Sequence, residues 1–174
     1  AVIHVKQTES ETVSHYTTPS NGKLEIVLDE EAIYSIWEEK SPDGFIKDDS
    51  CHVDIKMSAG QEKQIIFVNR KKPVLTIIKQ DENGNGLGGA VIKVKKTESE
   101  TVSTYTTPDS GKLEIILDEE AIYSVWEEKA PFGYLKDELC HEDIKMSAGQ
   151  EKQIIFTNRK RPSIEILKID QVTK

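Results

Sequence analysis

The sequence has few of the residues and segments that mark enzymes, disulfide-rich domains or membrane proteins. Only 4 of its 174 residues are histidine and 6% are aromatic, and no Ser-His-Asp, metal-site or phosphate-loop motif occurs. No apolar run approaches the roughly 20 residues of a membrane span, and the first residues, Ala1-Val-Ile-His-Val5, are not a signal peptide. We therefore predict a protein that is not an enzyme acting on a separate substrate and that needs no cofactor. We expect any export or anchoring signal to lie outside this sequence.

An excess of acidic residues argues against two classes of partner. The formal net charge is −8 and the isoelectric point is about 5.1. Nucleic acids and anionic membrane surfaces attract basic proteins, so we predict neither as a partner. Only 36% of the residues are apolar, and small domains with so modest a core usually need a cross-link or a partner in addition.

The two cysteines, Cys51 and Cys140, do not form a disulfide framework. They lie 140 − 51 = 89 residues apart, at equivalent places in two halves of the chain, so neither half can close a disulfide of its own. His52 and His141 follow them directly, but adjacent residues of a strand point to opposite faces and cannot easily bind one metal ion. We expect buried or half-buried structural thiols, and we predict no metal site.

The halves are two copies of one sequence. Residues 1–73 align without a gap onto residues 90–162, and 73 − 16 differences leaves 57 identities. Serial copies of one fold usually supply length. The apolar segment Val74–Lys79 precedes the second copy, and Ser163–Asp170 repeats that segment after it. We therefore predict a first repeat without its leading strand at 1–72, a complete repeat at 73–161, and the leading strand of a following repeat at 162–174, in a parent protein that continues in both directions.

Alternating apolar and polar residues between turn signals predict an all-β fold. Six segments of the second copy, each of about six residues, have this pattern: Ala90–Lys95, Thr101–Thr106, Lys112–Leu117, Ala121–Glu128, His141–Met146 and Lys152–Asn158. About seven short strands per repeat predict tandem Greek-key β-sandwiches with immunoglobulin-like topology.

One segment matches half of a calcium-binding loop. Asp81, Asn83 and Asn85 have the spacing of its first ligands, but Ile92 occupies the twelfth position, where a bidentate glutamate is needed. A glycine-rich connection between two strands explains the segment better.

Three polar residues are in phase with apolar ones on three predicted strands. Lys79 shares a face with Leu75 and Ile77, Glu127 shares a face with Tyr123 and Val125, and Asn158 shares a face with Ile154 and Phe156. Ile122 and Trp126 make the opposite face of the middle strand apolar as well, so the phase of that strand is ambiguous.

Two interpretations of this trio remain open. If the faces point inward, burial lowers the pKa of an amine and raises that of a carboxyl, so a neutral lysine could attack an asparagine carboxamide while the glutamate relays protons. The product would be an amide cross-link with loss of ammonia. In the other interpretation Lys79 and Glu127 are a surface ion pair and Asn158 is a turn residue.

Short motifs occur in a fixed order along the second copy: Lys79-x-Asp81, Leu87-Gly-Gly-Ala90, Gly111-Lys-Leu113, Tyr123-Ser-Val-Trp-Glu127-Glu-Lys-Ala-Pro131-Phe-Gly-Tyr134 and Phe156-Thr-Asn158. This order resembles the Cna protein B-type domain, also called prealbumin-like or SpaA-type, of Gram-positive surface adhesins and pilins. The resemblance covers essentially the whole chain, and its most specific part is the segment ending at Tyr134 together with the terminal Asn158.

The resemblance implies a cross-link and a function. In that family a lysine on the first strand forms an intramolecular isopeptide bond with an asparagine on the last strand, promoted by a glutamate on a central strand. The corresponding residues here are Lys79, Asn158 and Glu127. The resemblance also implies a stalk or spacer of an adhesin or pilin on the cell wall of a Gram-positive bacterium, with neighbouring repeats as partners. The alternative is a β-sandwich that itself binds a host matrix protein or glycan.

The first copy departs from the family pattern. Glu38 and Asn69 occupy the matching positions of the promoting glutamate and the asparagine, but Ser41-Pro-Asp-Gly-Phe45 replaces Ala-Pro-Phe-Gly-Tyr. The matching lysine would precede Ala1. The first copy is therefore predicted to hold an incomplete site.

Lys168 is the predicted substitute for that lysine. Lys79 is not expected to serve Asn69, because a hairpin centred near Lys72 would place Asn69 opposite Leu75. We instead predict that Ser163–Asp170 of one molecule fills the gap in the first copy of another. Such head-to-tail strand exchange would let Lys168 bond Asn69 between chains.

Overall fold

The computed structural model describes residues 1–169, and all regular secondary structure in this part of the chain is β-strand. None of these residues lies in a helix that is long and apolar enough to cross a membrane. The strands, in chain order, are β1 (Val2–Gln7), β2 (Val13–Thr17), β3 (Ile33–Lys40), β4 (Phe45–Ile46), β5 (Cys51–Lys56), β6 (Arg70–Lys71), β7 (Val74–Asp81), β8 (Val91–Lys96), β9 (Val102–Thr106), β10 (Lys112–Ile116), β11 (Ala121–Lys129), β12 (Cys140–Met146) and β13 (Glu151–Asn158).

The chain divides into two compact units. Unit 1 contains Ala1–Val74 with Ile116–Glu120 and Ser147–Gln150. Unit 2 contains Leu75–Ile115, Ala121–Met146 and, of the described residues, 151–169. The predicted repeat boundaries at 72/73 and 161/162 rest on the sequence repeat and stay a prediction.

Unit 2 has two sheets, as expected for a β-sandwich. One has the order β12-β11-β8-β9 and the other the order β10-β7-β13. The six strands predicted for the second copy are confirmed, with bounds that shift by at most one residue. Alternate side chains from both sheets are buried in one core, and burying each large one stabilises the fold by roughly 1.5–3 kcal/mol. Its apolar members include Leu75, Ile77, Ile92, Val94, Ile115, Val125, Met146 and Phe156.

Strand β11 shows which of its two apolar faces is internal. Tyr123 and Val125 are buried, whereas Ile122 is 42% exposed and Trp126 is only half-buried. The side chains in phase with Tyr123 therefore point inward, and this phase brings Glu127 into the core.

Unit 1 forms the sheet β2-β1-β3-β5 and the short two-stranded sheet β4-β6. It has fewer long strands than the predicted seven, because residues 23–27 and 62–69, which correspond to β10 and β13, lie outside any strand. In unit 2 these two strands flank β7 and hydrogen-bond to it. Among residues 1–169, no strand pairs with these two segments as β7 does with β10 and β13, so they form no ladder.

The prediction of buried or half-buried thiols is wrong. Cys51 and Cys140 are both exposed and unpaired. Each cysteine begins a strand and points outward, so the histidine after it points inward; the His141 ring packs edge-on against Phe156, with ring centroids 5.0 Å apart. Adjacent residues do point to opposite faces, as the sequence predicted. The prediction was wrong about which of the two, the cysteine or the histidine, points inward.

Residues 163–169 form no strand in the isolated chain. All of them are exposed, including Ile164 at 90% and Ile166 at 87%. Asp170, the last residue of the predicted leading strand, lies outside the described residues. Within the described residues, this segment has no strand beside it with which to form a ladder.

Candidate functional site

Three strands from the two sheets of unit 2 bring Lys79, Glu127 and Asn158 together in the core. Lys79 lies on β7, Glu127 on β11 and Asn158 on β13. The exposed fractions of the three residues are 0%, 1% and 1%. The interpretation of Lys79 and Glu127 as a surface ion pair is therefore excluded, and Asn158 is a buried strand residue rather than a turn residue.

The carboxylate of Glu127 contacts both of the other side chains. Its Oε1 lies 3.7 Å from the Lys79 Nζ, and its Oε2 accepts a hydrogen bond of 2.8 Å from the Asn158 Nδ2. The Lys79 amine also donates to the Phe156 carbonyl oxygen at 3.1 Å. The carboxylate is therefore placed between an amine and a carboxamide nitrogen.

The amide of Asn158 is held in one orientation. Its Nδ2 donates to the Leu135 carbonyl oxygen at 2.5 Å as well as to Glu127, so both amide protons are used. Its Oδ1 is buried without a hydrogen-bond partner, as is Glu127 Oε1. Unpaired buried polar atoms are rare and costly, so both oxygens have an unused capacity to accept a proton or a hydrogen bond.

Asp137 positions the glutamate and the end of β13 together. Its backbone N–H donates to Glu127 Oε2 at 2.7 Å. Its Oδ2 accepts from the Thr157 N–H at 3.2 Å, one residue before the asparagine, and its Oδ1 accepts from the Leu139 N–H at 3.0 Å. Sequence reasoning missed Asp137, because it lies between strands, where no periodicity assigns a face.

The backbone of Lys79 is fixed by two of the glycine-containing motifs. Its N–H donates to the Gly111 carbonyl at 2.7 Å, and its carbonyl accepts from the Leu87 N–H at 2.8 Å. Gly111 has a φ of +71°, and a Cβ there would lie 2.2 Å from the Lys79 carbonyl oxygen. Only glycine combines this backbone conformation with so close an approach.

The burial of Lys79 shifts its protonation equilibrium towards the neutral amine. Burial lowers the pKa of the Lys79 amine below its ordinary value of 10.5, while the carboxylates of Glu127 and Asp137 act in the opposite direction. Desolvation disfavours the charged form of a buried amine, and the neutral form is a nucleophile. An amine, a carboxamide and a carboxylate that contacts both can form an amide by release of ammonia.

Unit 1 contains the same site without the amine. Glu38 is 1% exposed, and its Oε2 accepts from the Asn69 Nδ2 at 2.5 Å and from the Asp48 N–H at 2.8 Å. The Asn69 Nδ2 also donates to the Ile46 carbonyl oxygen. Glu38 Oε1 has no partner. Lys168, predicted as the substitute, is exposed in residues 163–169.

The connection after β7 is a hydrogen-bonded turn. Asp81 Oδ1 accepts from the backbone N–H groups of Asn83 and Asn85, and Oδ2 accepts from the Asn85 side chain. These bonds, chiefly those from Asn85, lower the pKa of the Asp81 carboxyl. Within residues 1–169, no group of three or more histidine, cysteine or acidic side chains is arranged to hold a metal ion.

Comparison with protein-family models gives one match. The model of the SpaA prealbumin-like fold domain matches residues 73–160, which is half of the chain and contains the whole Lys79, Glu127 and Asn158 site. The chain belongs to the SpaA prealbumin-like family. Among curated protein sequences, none matches it.

Solved structures agree with the SpaA prealbumin-like fold. The shaft pilin SpaA from Lactobacillus rhamnosus GG is 13% identical, with a TM-score of 0.54; the match covers 94% of this chain and 88% of that one. A mutant of the same pilin gives 14% identity and a TM-score of 0.55, with 94% of each chain covered. These matches support the fold alone.

A longer protein is also similar in sequence. The Bacillus anthracis TIE protein is 25% identical over 91% of this chain, with a TM-score of 0.47. The matched part is 30% of the TIE chain. The chain thus spans less than a third of that relative.

Proposed function

We propose that this chain is a spacer segment of a Gram-positive surface pilin or adhesin, located outside the cell, and that an isopeptide bond between Lys79 and Asn158 locks its unit 2. One observation carries the proposal: Glu127 contacts the amine of Lys79 and the carboxamide nitrogen of Asn158 in a fully buried site. Neighbouring SpaA-type repeats are the expected partners within the parent protein.

The bond forms by amide exchange. The neutral Lys79 Nζ attacks Cγ of Asn158, and a C–N bond forms as the Cγ–Nδ2 bond breaks. Glu127 takes a proton from the attacking amine through Oε1 and delivers one to the leaving nitrogen from its carboxyl group, whose Oε2 already contacts Nδ2. Ammonia leaves, so atoms and charge balance without an oxidant, a cofactor or a second protein.

The reaction also removes the ionisable amine from the core. Before it, the Lys79 amine is buried beside the carboxylate of Glu127. After it, the lysine and asparagine are joined by a neutral amide, and Glu127 is regenerated. Because the catalyst and both substrates belong to one chain, the chemistry is a single turnover rather than enzyme activity on other molecules.

The position of the bond suits a protein under tension. β7 and β13 are neighbours in one sheet, and Gln80 donates to Thr157 beside the Lys79–Phe156 contact, so the C-terminal ends of the two strands lie together. A bond there encloses almost the whole domain. By analogy with disulfides, closing about 80 residues stabilises the fold by roughly 4–5 kcal/mol, and force entering at β7 leaves through β13 by a covalent path.

The intact mass of the purified chain under denaturing conditions tests this proposal. The expected mass is lower than that of the sequence by one ammonia, and Lys79→Ala, Glu127→Ala and Asn158→Ala should each restore the full mass. Glu38→Ala is the matched control, since it changes the equivalent glutamate of unit 1 and should leave the deficit of unit 2 in place. A wild-type chain of full mass would contradict the bond.

A further inference from the structure

We propose that His4 and His15, which face each other across two strands of unit 1, bind a divalent transition-metal ion, Cu²⁺ most tightly. Every residue of this site lies in or beside the sheet β2-β1-β3-β5, so the site is complete within the described chain. It is separate from the cross-link proposed for unit 2 and does not depend on it.

The two histidines are direct neighbours on the outer face of this sheet. His4 lies on β1, and its partner in the antiparallel ladder is His15 on β2. Ile3 and Val5, on either side of His4, are buried, so the His4 side chain points away from the core. His15 is exposed, so an ion can reach the pair from solvent.

The ladder places the two side chains close together. The Thr18 N–H donates to the Ala1 carbonyl, which makes Ala1 and Thr18 a hydrogen-bonded pair. Hydrogen-bonded and non-hydrogen-bonded pairs alternate along an antiparallel ladder, so His4 and His15, three pairs further on (4 − 1 = 3), are a non-hydrogen-bonded pair. Side chains are closer together in pairs of this kind. The sequence predicted no metal site because this closeness arises from the ladder and not from a spacing motif.

Two ring nitrogens converge on one point. His15 Nδ1 lies 2.7 Å from His4 Nε2, so in the neutral pair one nitrogen carries a proton and the other accepts it. Imidazole nitrogens bind zinc at about 2.0–2.1 Å, so two bonds to one ion at roughly 90–110° place the nitrogens roughly 2.8–3.4 Å apart. Small rotations of the two rings therefore let an ion take the place of the shared proton.

A carboxylate lies near the other nitrogen of His4. Glu39 Oε2 is 3.8 Å from His4 Nδ1, the ring atom that does not face His15. When His4 Nε2 binds an ion, the proton of the neutral ring resides on Nδ1 and points towards this carboxylate, so the ring changes its tautomer and loses no proton. Carboxylates placed in this way fix the orientation of a histidine ligand and raise its basicity.

The donor atoms determine the class of ion. Imidazole nitrogens suit Cu²⁺, Ni²⁺ and Zn²⁺, and affinity rises along the first-row series to Cu²⁺ and falls again at Zn²⁺. Calcium and magnesium prefer oxygen ligands, so neither is expected here. Within residues 1–169, no third histidine, cysteine or acidic side chain completes the site. The remaining coordination positions are therefore left to water, and we expect an open site.

Unit 2 has the same arrangement without the ligands. At the 89-residue offset of the repeat, Lys93 and Thr104 replace His4 and His15. They are also ladder partners, and Lys93 Nζ donates to the Thr104 hydroxyl at 2.7 Å. A protonated amine has no lone pair for a metal ion. Unit 2 is therefore the natural control for the site in unit 1.

Metal binding would stabilise unit 1. Strand β2 is at the edge of its sheet and pairs with β1 alone. An ion bound by His4 and His15 joins these two strands through their side chains. Because the two ligands are brought together only in the folded chain, binding shifts the folding equilibrium of unit 1 towards the folded state.

A tryptophan beside each position reports binding. Trp37 is the ladder partner of His4 on β3, and the centroids of the two rings are 5.4 Å apart. Bound Cu²⁺ quenches the fluorescence of an indole at this distance. Trp126 is the ladder partner of Lys93 in unit 2. Observed one at a time, the two tryptophans separate binding at the site from general quenching by the ion.

Titration of the full chain with Cu²⁺ tests the proposal. Cys51→Ser and Cys140→Ser are present in every variant, because both thiols are exposed and thiolates also bind copper. With Trp126→Phe, the emission of Trp37 should fall to a plateau at one Cu²⁺ per chain, and a chelator should restore it. With Trp37→Phe, the emission of Trp126 should stay unchanged over the same concentrations.

Substitutions assign the ligands. Glu39→Gln keeps the shape of the side chain but not its charge, and it should weaken binding by roughly 10-fold, as the loss of an outer-shell partner does. His15→Thr, which installs the residue of unit 2, removes a ligand and should weaken binding further. Lys93→His together with Thr104→His should build the site in unit 2 and transfer the saturable quenching to Trp126.

Four results would overturn the proposal. The first two are equal quenching of Trp37 and Trp126, and no saturable quenching of either. The third is quenching of Trp37 that is unchanged in His15→Thr. The fourth is a histidine pair in unit 2 that leaves the emission of Trp126 unchanged, since a facing pair would then not be sufficient. The cross-link of unit 2 is measured by mass, so its presence or absence is decided independently of these results.

Discussion

Glu38 and Glu127 lie 127 − 38 = 89 residues apart and hold the same two hydrogen bonds, one from a backbone N–H and one from an asparagine amide. They differ in one respect: a lysine amine lies beside Glu127, while the corresponding oxygen of Glu38 has no partner. For each substitution at the site of one unit, the equivalent substitution in the other unit therefore provides the control.

The cross-link should account for a large share of the stability of unit 2. Asn158→Ala should lower the free energy of unfolding of this unit by roughly 4–5 kcal/mol through the loss of the closed loop. Chemical denaturation followed by fluorescence of Trp126, in a Trp37→Phe background, measures unit 2 separately. Asn69→Ala, the equivalent change in unit 1, should leave this transition in place. Equal transitions for the wild type and Asn158→Ala would show that no such loop is closed.

Asp137 should determine how fast the bond forms. Asp137→Ala removes the acceptor that holds the Thr157 N–H beside Asn158, and misplacement of a reactant by about 1 Å can slow a reaction on the order of 100-fold. The fraction of chains that lack one ammonia, followed in time during cell-free synthesis, gives the rate.

Rescue by a conservative change separates positioning by Asp137 from general stability. Asp137→Asn keeps an oxygen that can accept the Thr157 N–H, so it should form the bond much faster than Asp137→Ala. If both variants formed the bond at the wild-type rate, Asp137 would not position the site.

Gly111 should be required for the placement of Lys79. In Gly111→Ala the new Cβ would lie 2.2 Å from the Lys79 carbonyl oxygen, so β7 has to shift and the bond should form slowly or incompletely. Gly84→Ala is the control, because Gly84 also has a positive φ, +82°, but nothing lies within 4 Å of its Cβ. It should cost only about 1 kcal/mol of backbone strain and still form the bond, as intact mass would show. Matching mass deficits in the two variants would contradict this role.

Stability should rise with pH when the bond is blocked. In Asn158→Ala, burial keeps the pKa of Lys79 below its ordinary 10.5. Below the folded pKa both states hold the proton, and the cost of the buried ammonium is fully present. Between the folded and unfolded pKa values the unfolded chain binds one more proton, so the free energy of unfolding increases by up to about 1.4 kcal/mol per pH unit.

Denaturant titrations from about pH 7 to about pH 10 measure this slope. The double variant Lys79→Met, Asn158→Ala lacks the titrating amine and should lack the slope. Parallel stability curves for the two variants would mean that the pKa of Lys79 is not lowered.

The strands and the three central residues of the site could be predicted from the sequence because both depend on period-two alternation. Lys79 is in phase with Leu75 and Ile77, and Asn158 is in phase with Ile154 and Phe156, so each could be assigned to the face of its strand that carries those residues. Glu127 was ambiguous, since Ile122 and Trp126 make the outer face of β11 apolar as well. The structure resolves this ambiguity through the burial of Tyr123 and Val125.

Features that depend on tertiary contacts could not be predicted in this way. Asp137 acts through a loop, and Gly111 acts through the approach of its backbone to Lys79, so neither has a periodic signal. The phase at Cys140 was wrong because four of the seven residues of β12 are exposed and only Met146 is buried, so few apolar residues fix its inner face.

Peptide mapping of a tryptic digest tests the cross-link in unit 2 most directly. Trypsin does not cleave at an amide-linked lysine or before proline, so a Lys79–Asn158 bond predicts one branched product, residues 72–93 joined to residues 153–159 and lighter by one ammonia. Fragmentation of this product should place the branch between Lys79 and Asn158. Recovery of residues 72–79, 80–93 and 153–159 as separate peptides, with no branched product, would contradict the proposed function.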